Sequence, residues 1–374
     1  MDDIWREQFG EAPGYLDFAR VGPPSRAVAE ISAELFGRVA AAGPSTVDDL
    51  MAWDDRARAA VGRLCGAGAD RVVLVPHTSQ GLFQAAFNVP AGGEVLVSAA
   101  EFPANTYPWA RAEQAGRLTV RWLHAPGGRV TPAAVAAALT PDITVVSVSA
   151  VDFRTGYRAD LAALREVVGD RLLVVDGIQG VGVVDEPWEA ADLLVCGGQK
   201  WLRAGWGTAF AVLSERALTR MEPLISGWTG AVDPTVFDDE IHAAAPGARA
   251  WSVSNLSPVT SGALARALEL TEEIGLPVIA ARIADRVAEL EEVLLAAGAV
   301  IVSETARRAG LLAFHVPGRT ASAVAGALAD AEVVATARPD QVRLSPHAST
   351  GPEAVDRVRA ALATLRRGGV DAES

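Results

Sequence analysis

The chain has 374 residues, half of them hydrophobic, and a formal net charge of −13. This acidic balance argues against a nucleic-acid partner or an anionic membrane surface, because both require a basic face. Two cysteines are too few for a disulfide framework, and five scattered histidines have no metal-site spacing, so we expect no metal.

The N-terminal sequence lacks the cations and apolar run of a signal peptide. No stretch of about 18 uncharged apolar residues predicts a membrane span. We therefore expect a soluble, cytoplasmic protein.

Seven apolar runs alternate with amphipathic helical stretches through the first part of the chain. The runs cover residues 71–76, 93–99, 118–124, 143–151, 171–176, 191–196 and 207–214. Nearly continuous Val, Leu and Ile residues are typical of strands buried on both faces, and alternation with helices predicts a mainly parallel sheet. The last two runs have no helix between them, which favours one antiparallel strand at the sheet edge.

The character of the sequence changes after residue 260. A long helical region leads to two short strands and a final amphipathic helix, and all nine tryptophans lie at or before Trp251. We predict a large α/β domain over residues 26–260 and a small C-terminal α+β domain over 261–374. The N-terminal arm, residues 1–25, is expected to belong to the small domain and the entrance of the site.

Lys200 is the single lysine among 33 lysines and arginines. An arginine stays protonated in a protein, whereas a lysine amine can lose its proton, attack a carbonyl and form a Schiff base. Chance survival in an arginine-biased chain explains a lone lysine about as well. The residues around Lys200 therefore decide whether it is a reactive amine or a chance survivor.

Asp176 follows four apolar residues, at the expected carboxyl end of a buried strand, where α/β folds place ligand sites. An isolated aspartate there is usually a turn or capping residue. Paired with Lys200 after the next strand, it matches the needs of pyridoxal 5'-phosphate (PLP), whose aldehyde requires an amine and whose ring nitrogen requires an anion.

The segments VDGIQGVG (175–182) and DLLVCGGQKWLRAGWGTAF (192–210) resemble the active-site signature of the aminotransferase class V family of fold-type I PLP enzymes. This family includes cysteine desulfurases, selenocysteine lyases, kynureninases and isopenicillin N epimerase-like proteins. The resemblance implies a mainly parallel seven-stranded sheet in the large domain, a homodimer with active sites at the interface, and a small amino-acid substrate.

The resemblance also implies roles for individual residues. Lys200 would form the Schiff base with PLP, Asp176 would pair with the ring nitrogen, and Gln179 would donate to the phenolic oxygen. The segment PHTSQGL (76–82) matches the family's phosphate loop. Thr78 and Ser79 would hold the phosphate there, as hydroxyls at a helix N-terminus can.

Further assignments follow from the same resemblance. In EFPANTYPW (101–109) Phe102 would stack on the cofactor ring, and Arg343 in QVRLSPH would bind the substrate's α-carboxylate. The other expected contributors are Asn105 near the phosphate or substrate, Gln199 in place of a histidine common in desulfurases, and Trp228, Thr229 and Asn255 in loops that reach the partner's site. Gly197 stands where desulfurases often carry a phosphate-binding serine.

The reaction type stays open among several alternatives. Desulfurases carry a reactive cysteine just before the segment that corresponds to VRLSPH, and none is present here, so persulfide formation is not expected. We favour an aminotransferase or a cysteine-independent C–S or β-elimination lyase, with an epimerase or a kynureninase-like Cβ–Cγ hydrolase as alternatives. A catalytically silent PLP-binding regulator, or a cofactor-free protein binding another anionic ligand, belongs to a different class. The usual nucleotide signatures are absent.

Overall fold

A computed structural model describes residues 5–370, with side chains to residue 365. Its large sheet has seven strands in the order β1-β7-β6-β5-β4-β2-β3. The strands are β1 (Val72–Val75), β2 (Glu94–Ser98), β3 (Thr119–Leu123), β4 (Ile143–Ser149), β5 (Leu172–Asp176), β6 (Leu193–Gly197) and β7 (Ala209–Leu213). The expected α/β class, with a mainly parallel seven-stranded sheet, is confirmed.

β7 departs from the expected place of the antiparallel strand. It is antiparallel to both of its neighbours, β1 and β6, but it lies inside the sheet, so the expectation of an antiparallel edge strand is wrong. β1 forms this edge of the sheet instead. It pairs with β7, and all four of its residues are buried. The sequence pattern predicts that one strand is antiparallel, but it does not predict which strands lie beside it in the sheet.

Helices cover both faces of this sheet, as continuous apolar strands require. They are α1 (Arg26–Ala40), α2 (Thr46–Cys65), α3 (Thr78–Asn88), α4 (Tyr107–Gln114), α5 (Pro132–Ala138), α6 (Leu161–Val168) and α7 (Glu215–Arg220). Two hydrophobic clusters result, one of them around Trp109 and Trp251 between α3, α4 and the sheet.

The long helical region of the sequence is two helices, α8 (Pro258–Ile274) and α9 (Leu276–Ala296). Gly275 separates them with φ of 90°, a conformation that favours glycine, and Pro277 begins the next turn. α8 packs against α1 and α2. The predicted domain boundary at residue 260 falls in the first turn of α8 and stays a prediction.

The C-terminal part holds a second sheet of four strands in the order β10-β11-β9-β8. Its elements are β8 (Val300–Ile301), β9 (Leu312–His315), α10 (Ala321–Asp330), β10 (Thr336–Ala337), β11 (Val342–Leu344) and α11 (Pro352–Val370). Within residues 5–370, no helix is both long and apolar enough to cross a membrane.

The N-terminal arm connects this second sheet with the turn that carries Lys200. Asp17 forms a β-bridge with Ser345, and the backbone N–H of Gly22 donates to the carbonyl of Gln199 at 2.9 Å. A Cβ on Gly22 would lie 1.9 Å from the carbonyl oxygen of Lys200, so only glycine permits this approach.

Candidate active site

Asp176 and Lys200 lie at the same edge of the large sheet. Asp176 ends β5, and Lys200 lies in the turn that follows β6, the parallel neighbour of β5. The carboxyl ends of parallel strands meet at one edge, which is where such folds bind ligands. The two predicted residues are therefore brought together.

The Lys200 amine is shifted toward its neutral form. Burial lowers the pKa of Lys200 to about 8, while the Asp176 carboxylate opposes this shift and the Arg343 guanidinium adds to it. At pH 8 about half of the amine groups are unprotonated. A neutral lysine amine can attack an aldehyde or accept a proton, so the surroundings suit the chemistry predicted for Lys200.

Asp176 is a buried carboxylate that is ionised at neutral pH. Burial raises the pKa of Asp176 to about 6, whereas a hydrogen bond from the Ile178 N–H (3.0 Å) and the Lys200 charge lower it. An ionised, buried carboxylate beside a lysine can hold a proton on a ring nitrogen.

Glu101 is a second buried carboxylate at this edge, and sequence reasoning missed it. The Ser149 backbone N–H donates to Glu101 Oε1 at 3.0 Å, and the Ser149 hydroxyl donates to Oε2. Ser149 is opposite Asp176 in the register of β4 and β5, so the two carboxylates occupy adjacent strand ends. Burial, to which the Asp176 charge adds, raises the pKa of Glu101 to about 7.

Phe102 presents its ring to Lys200. The ring centroid is 5.6 Å from Lys200 Nζ, and the ring meets Phe153 edge to face at 5.1 Å. Phe102 is 42% exposed, so one side of the ring is open. This position suits the stacking role predicted for Phe102, which stays a prediction.

Thr78 and Ser79 begin α3, at the end of β1. Thr78 Oγ1 is buried without a hydrogen-bond partner among the described residues, and a Cβ on Gly197 would lie 2.8 Å from it. A buried hydroxyl that lacks a partner costs about 1–3 kcal/mol, and a phosphate oxygen would satisfy it. The small residue at 197 leaves room beside that hydroxyl.

The other residues predicted to bind the cofactor already make hydrogen bonds within the chain, and they differ in how many donors remain free. Gln179 Nε2 donates to the Ala19 carbonyl (2.9 Å), and its Oε1 accepts from the Trp201 indole (2.7 Å). One N–H of the Gln179 amide remains for the predicted contact. Asn105 is buried, and its Oδ1 accepts from Ser147 (2.7 Å), which fixes it beneath the site. The Gln199 carbonyl binds the N-terminal arm, as described above.

Arg343 is brought to the same site but already has protein partners. Its Nη1 donates to the Phe153 carbonyl at 2.6 Å, and its Nη2 lies 3.4 Å from Asp17 Oδ1. Arg343 Nε is buried and has no hydrogen-bond partner in the described part of the chain. Nη2 also donates to Thr336 Oγ1 at 3.3 Å, so among the described residues the Nε–H and one Nη1–H of the five guanidinium N–H groups have no acceptor. The role of Arg343 toward a carboxylate stays a prediction.

Arg203 holds three segments around the lysine turn, and sequence reasoning did not identify it. Its guanidinium donates to the Pro23 carbonyl (2.6 Å), Ser349 Oγ (2.7 Å) and Glu11 Oε2 (2.6 Å). Arg203 is 3% exposed, and burial lowers its pKa to about 10. The arm, the lysine turn and the segment after β11 are thus joined through one buried cation.

Trp228, Thr229 and Asn255 lie apart from this group within one chain. Thr229 Oγ1 is 2.7 Å from Ser252 Oγ, and the Trp228 ring is 6.4 Å from that of Phe237. Across residues 5–365, no hydrogen bond, ion pair or ring contact joins these three residues to Lys200 or Asp176. Their predicted roles depend on a partner subunit.

Within the described residues, no group of three or more His, Cys, Asp or Glu side chains could hold a metal ion. The residues at the sheet edge instead match the parts of PLP. The Lys200 amine, the buried Asp176 carboxylate, the Phe102 ring and the unpartnered Thr78 hydroxyl would suit the aldehyde, ring nitrogen, ring face and phosphate of PLP.

Comparisons with known proteins agree with this arrangement. The sequence profile described as aminotransferase class-V matches residues 24–345. A kynureninase from Deinococcus radiodurans is 33% identical over 237 residues, which is 61% of this chain and 56% of the kynureninase. The chain thus spans little more than half the length of that relative. An uncharacterised aminotransferase from Bacillus subtilis, YcbU, is 26% identical over 78% of each chain.

Solved structures share the fold. The cystine C–S lyase C-DES, solved with its reaction product cysteine persulfide, has a TM-score of 0.85 and 19% identity, over 94% of this chain and 97% of that one. In a second structure of C-DES, glycine is covalently linked to the PLP cofactor.

Proposed function

The chain belongs to the aminotransferase class-V family of PLP-dependent enzymes, and from that premise we propose that it cleaves the bond between Cβ and the side-chain leaving group of an amino acid. PLP supplies an aldehyde that takes up amines and a ring that accepts the electron pair released at Cα. The observation that carries the proposal is the Lys200 amine, partly neutral near pH 8, between Asp176, Phe102 and Arg343.

Each residue has a defined task in this proposal. Lys200 would hold the cofactor through its Nζ, and the same amine would move the proton at Cα of a bound substrate. The buried Asp176 carboxylate would stabilise a protonated ring nitrogen. Arg343 would bind the α-carboxylate through the N–H groups that Phe153, Asp17 and Thr336 leave free.

Neither cysteine is placed to accept sulfur from a substrate. Burial raises the pKa of Cys65 to about 12 and that of Cys196 well above its usual value, so both remain thiols at neutral pH. Cys196 lies in β6 and Cys65 ends α2. These positions favour a reaction in which no cysteine of the chain accepts the leaving group. C-DES, which shares the fold, is named a cystine C–S lyase.

Kynureninase-like hydrolysis of a Cβ–Cγ bond is the second candidate. Two observations favour it: the 33% identity to the Deinococcus radiodurans kynureninase and the Phe102–Phe153 ring pair beside Lys200. Paired rings can contact an aromatic substrate side chain. Transamination and epimerisation break no bond to Cβ or beyond it, and product analysis distinguishes them from both candidates.

The active enzyme is proposed to be a homodimer with its sites at the interface. Apolar side chains cluster on the surface of residues 224–241, where Phe237 is 85% exposed and Ile241 fully exposed. A patch of this kind on a soluble chain marks an association surface. Trp228 and Thr229 belong to the same segment, so a second copy bound here would bring them toward a neighbouring site.

The test begins with the cofactor. The purified protein is reduced with borohydride and digested, and the phosphopyridoxyl mass should be found on Lys200. A mass on any other residue, or on none, contradicts the central assignment. A panel of amino acids with different Cβ leaving groups should then yield pyruvate or alanine with the released group. Formation of only keto acid with aminated cofactor, or only racemised substrate, would favour transamination or epimerisation.

A further inference from the structure

A row of ring contacts leads from Lys200 to an arginine that the proposed mechanism does not use. Phe102 lies beside Lys200 and meets Phe153 edge to face. The Arg338 guanidinium carbon lies 4.7 Å from the centroid of the Phe153 ring. Arg338 follows β10 in the C-terminal part, five residues before Arg343. Arg338 therefore lies at the far end of this row of side chains from Lys200, near the proposed α-carboxylate site at Arg343.

Arg338 differs from Arg343 and Arg154 because it has no counter-ion among the described residues. Arg343 pairs with Asp17, and Arg154 pairs with Asp152 at 2.7 Å. The Arg338 side chain makes neither an ion pair nor a hydrogen bond to any described residue, and its buried Nε has no acceptor. A buried donor without an acceptor is costly, so an external acceptor would be stabilised there.

The charges near Arg338 also favour an anion. Burial lowers the pKa of Arg343, Asp17 opposes this shift, and the charges of Arg338 and Arg20 lower it again. Arg338 and Arg343 are thus close enough to repel each other, and the Asp17 carboxylate pairs with Arg343 alone. A second carboxylate would complete the pairing.

We propose that Arg338 binds a carboxylate at the far end of the substrate's side chain, so that the enzyme prefers amino acids with an acidic side chain. A planar guanidinium matches a carboxylate with two parallel hydrogen bonds. The inference rests on the proposed function, because it takes the substrate amine at Lys200 and the α-carboxylate at Arg343 as given. It adds which side chain the site accepts.

The test compares ligands of equal shape and different charge. L-Glutamate and L-glutamine are titrated into the PLP-loaded protein, and binding is followed by the change in cofactor absorbance. The wild-type protein should bind glutamate about tenfold more tightly than glutamine, as one additional charge-assisted pair predicts. Equal affinities in the wild-type protein would overturn the inference without any variant.

Two variants test whether Arg338 causes the preference for glutamate over glutamine. Arg338→Gln should lose the preference for glutamate and keep the wild-type affinity for glutamine. The control Arg20→Gln removes an exposed cation near the same site and should keep the preference. Equal weakening of both ligands by Arg338→Gln, or loss of the preference in Arg20→Gln, would overturn the assignment. S-carboxymethyl-L-cysteine and its amide analogue provide the same comparison for turnover.

Failure of the Arg338 assignment is distinguishable from failure of the proposed function. If reduction fixes the cofactor on Lys200 and both ligands change its absorbance with equal affinity, only the assignment of Arg338 fails. If no adduct forms on Lys200, the proposed function itself fails.

Discussion

The buried carboxylates Glu101 and Asp176 give the native protein a defined pH dependence. Both pKa values are raised by burial, to about 7 and about 6, above the usual values of 4.5 and 3.8. At these two carboxyls the native state therefore holds more protons than the unfolded chain between about pH 4 and pH 7. It follows that both residues contribute stability below this window that is lost as the pH rises through it.

Glu101→Gln is expected to remove the part of this pH-dependent loss of stability that Glu101 causes. In the cofactor-free protein, the unfolding free energy of the variant should fall less steeply than that of the wild type between pH 5 and pH 7. The difference can reach at most about 1.4 kcal/mol per pH unit, the effect of one proton. Urea denaturation at a series of pH values measures it.

A control variant separates this effect from the loss of any glutamate. Glu30→Gln changes an exposed side chain on α1, 70% accessible, and should reproduce the wild-type profile. Parallel profiles for Glu101→Gln and the wild type would show that Glu101 does not titrate in this window.

At the scale of single residues, the sequence revealed the chemistry but not the surroundings. Lys200 and Asp176 could be predicted because residue type, strand-end position and spacing all point to one reaction. Glu101 could not, because its burial depends on Ser149, 48 residues away in the chain. Arg203 could not be recognised among the many arginines of the chain, since its partners Glu11 and Ser349 come from distant segments.

At the scale of elements, the seven strands could be predicted and their order could not. Continuous Val and Leu runs identify buried strands, because both faces of a parallel sheet are covered. The insertion of β7 between β1 and β6 depends on pairing over long sequence separations, which leaves no local pattern. The division of the helical region at Gly275 has a local cause, the Gly-Leu-Pro sequence, and could have been predicted.

The N-terminal arm is held to the lysine turn mainly through one buried ion pair. Arg203→Ala should lower the unfolding free energy by about 3–5 kcal/mol, because the Glu11 carboxylate and a carbonyl oxygen lose their buried donor. Both side chains of the pair are under 10% exposed. The shift of the urea midpoint measures the effect.

The matched control removes an arginine from an exposed pair. Arg26 and Glu30 on α1 lie 3.9 Å apart and are 60% and 70% accessible. Arg26→Ala should cost no more than about 0.5 kcal/mol, the usual value for such a pair. Similar costs for the two substitutions would contradict the view that Arg203 anchors the arm.

At the scale of the whole molecule, the proposed dimer depends on the apolar surface of residues 224–241. Ile241→Asp places a charge in the centre of that surface and should shift the protein from dimer to monomer, because burying an unpaired charge costs several kcal/mol. Sedimentation velocity measures the change. Leu295→Asp, at an exposed apolar position on α9 outside that surface, should leave the dimer intact. A monomeric wild type would contradict the proposed dimer. A dimeric Ile241→Asp variant would place the association surface elsewhere and leave Trp228 without its predicted role at a partner's site.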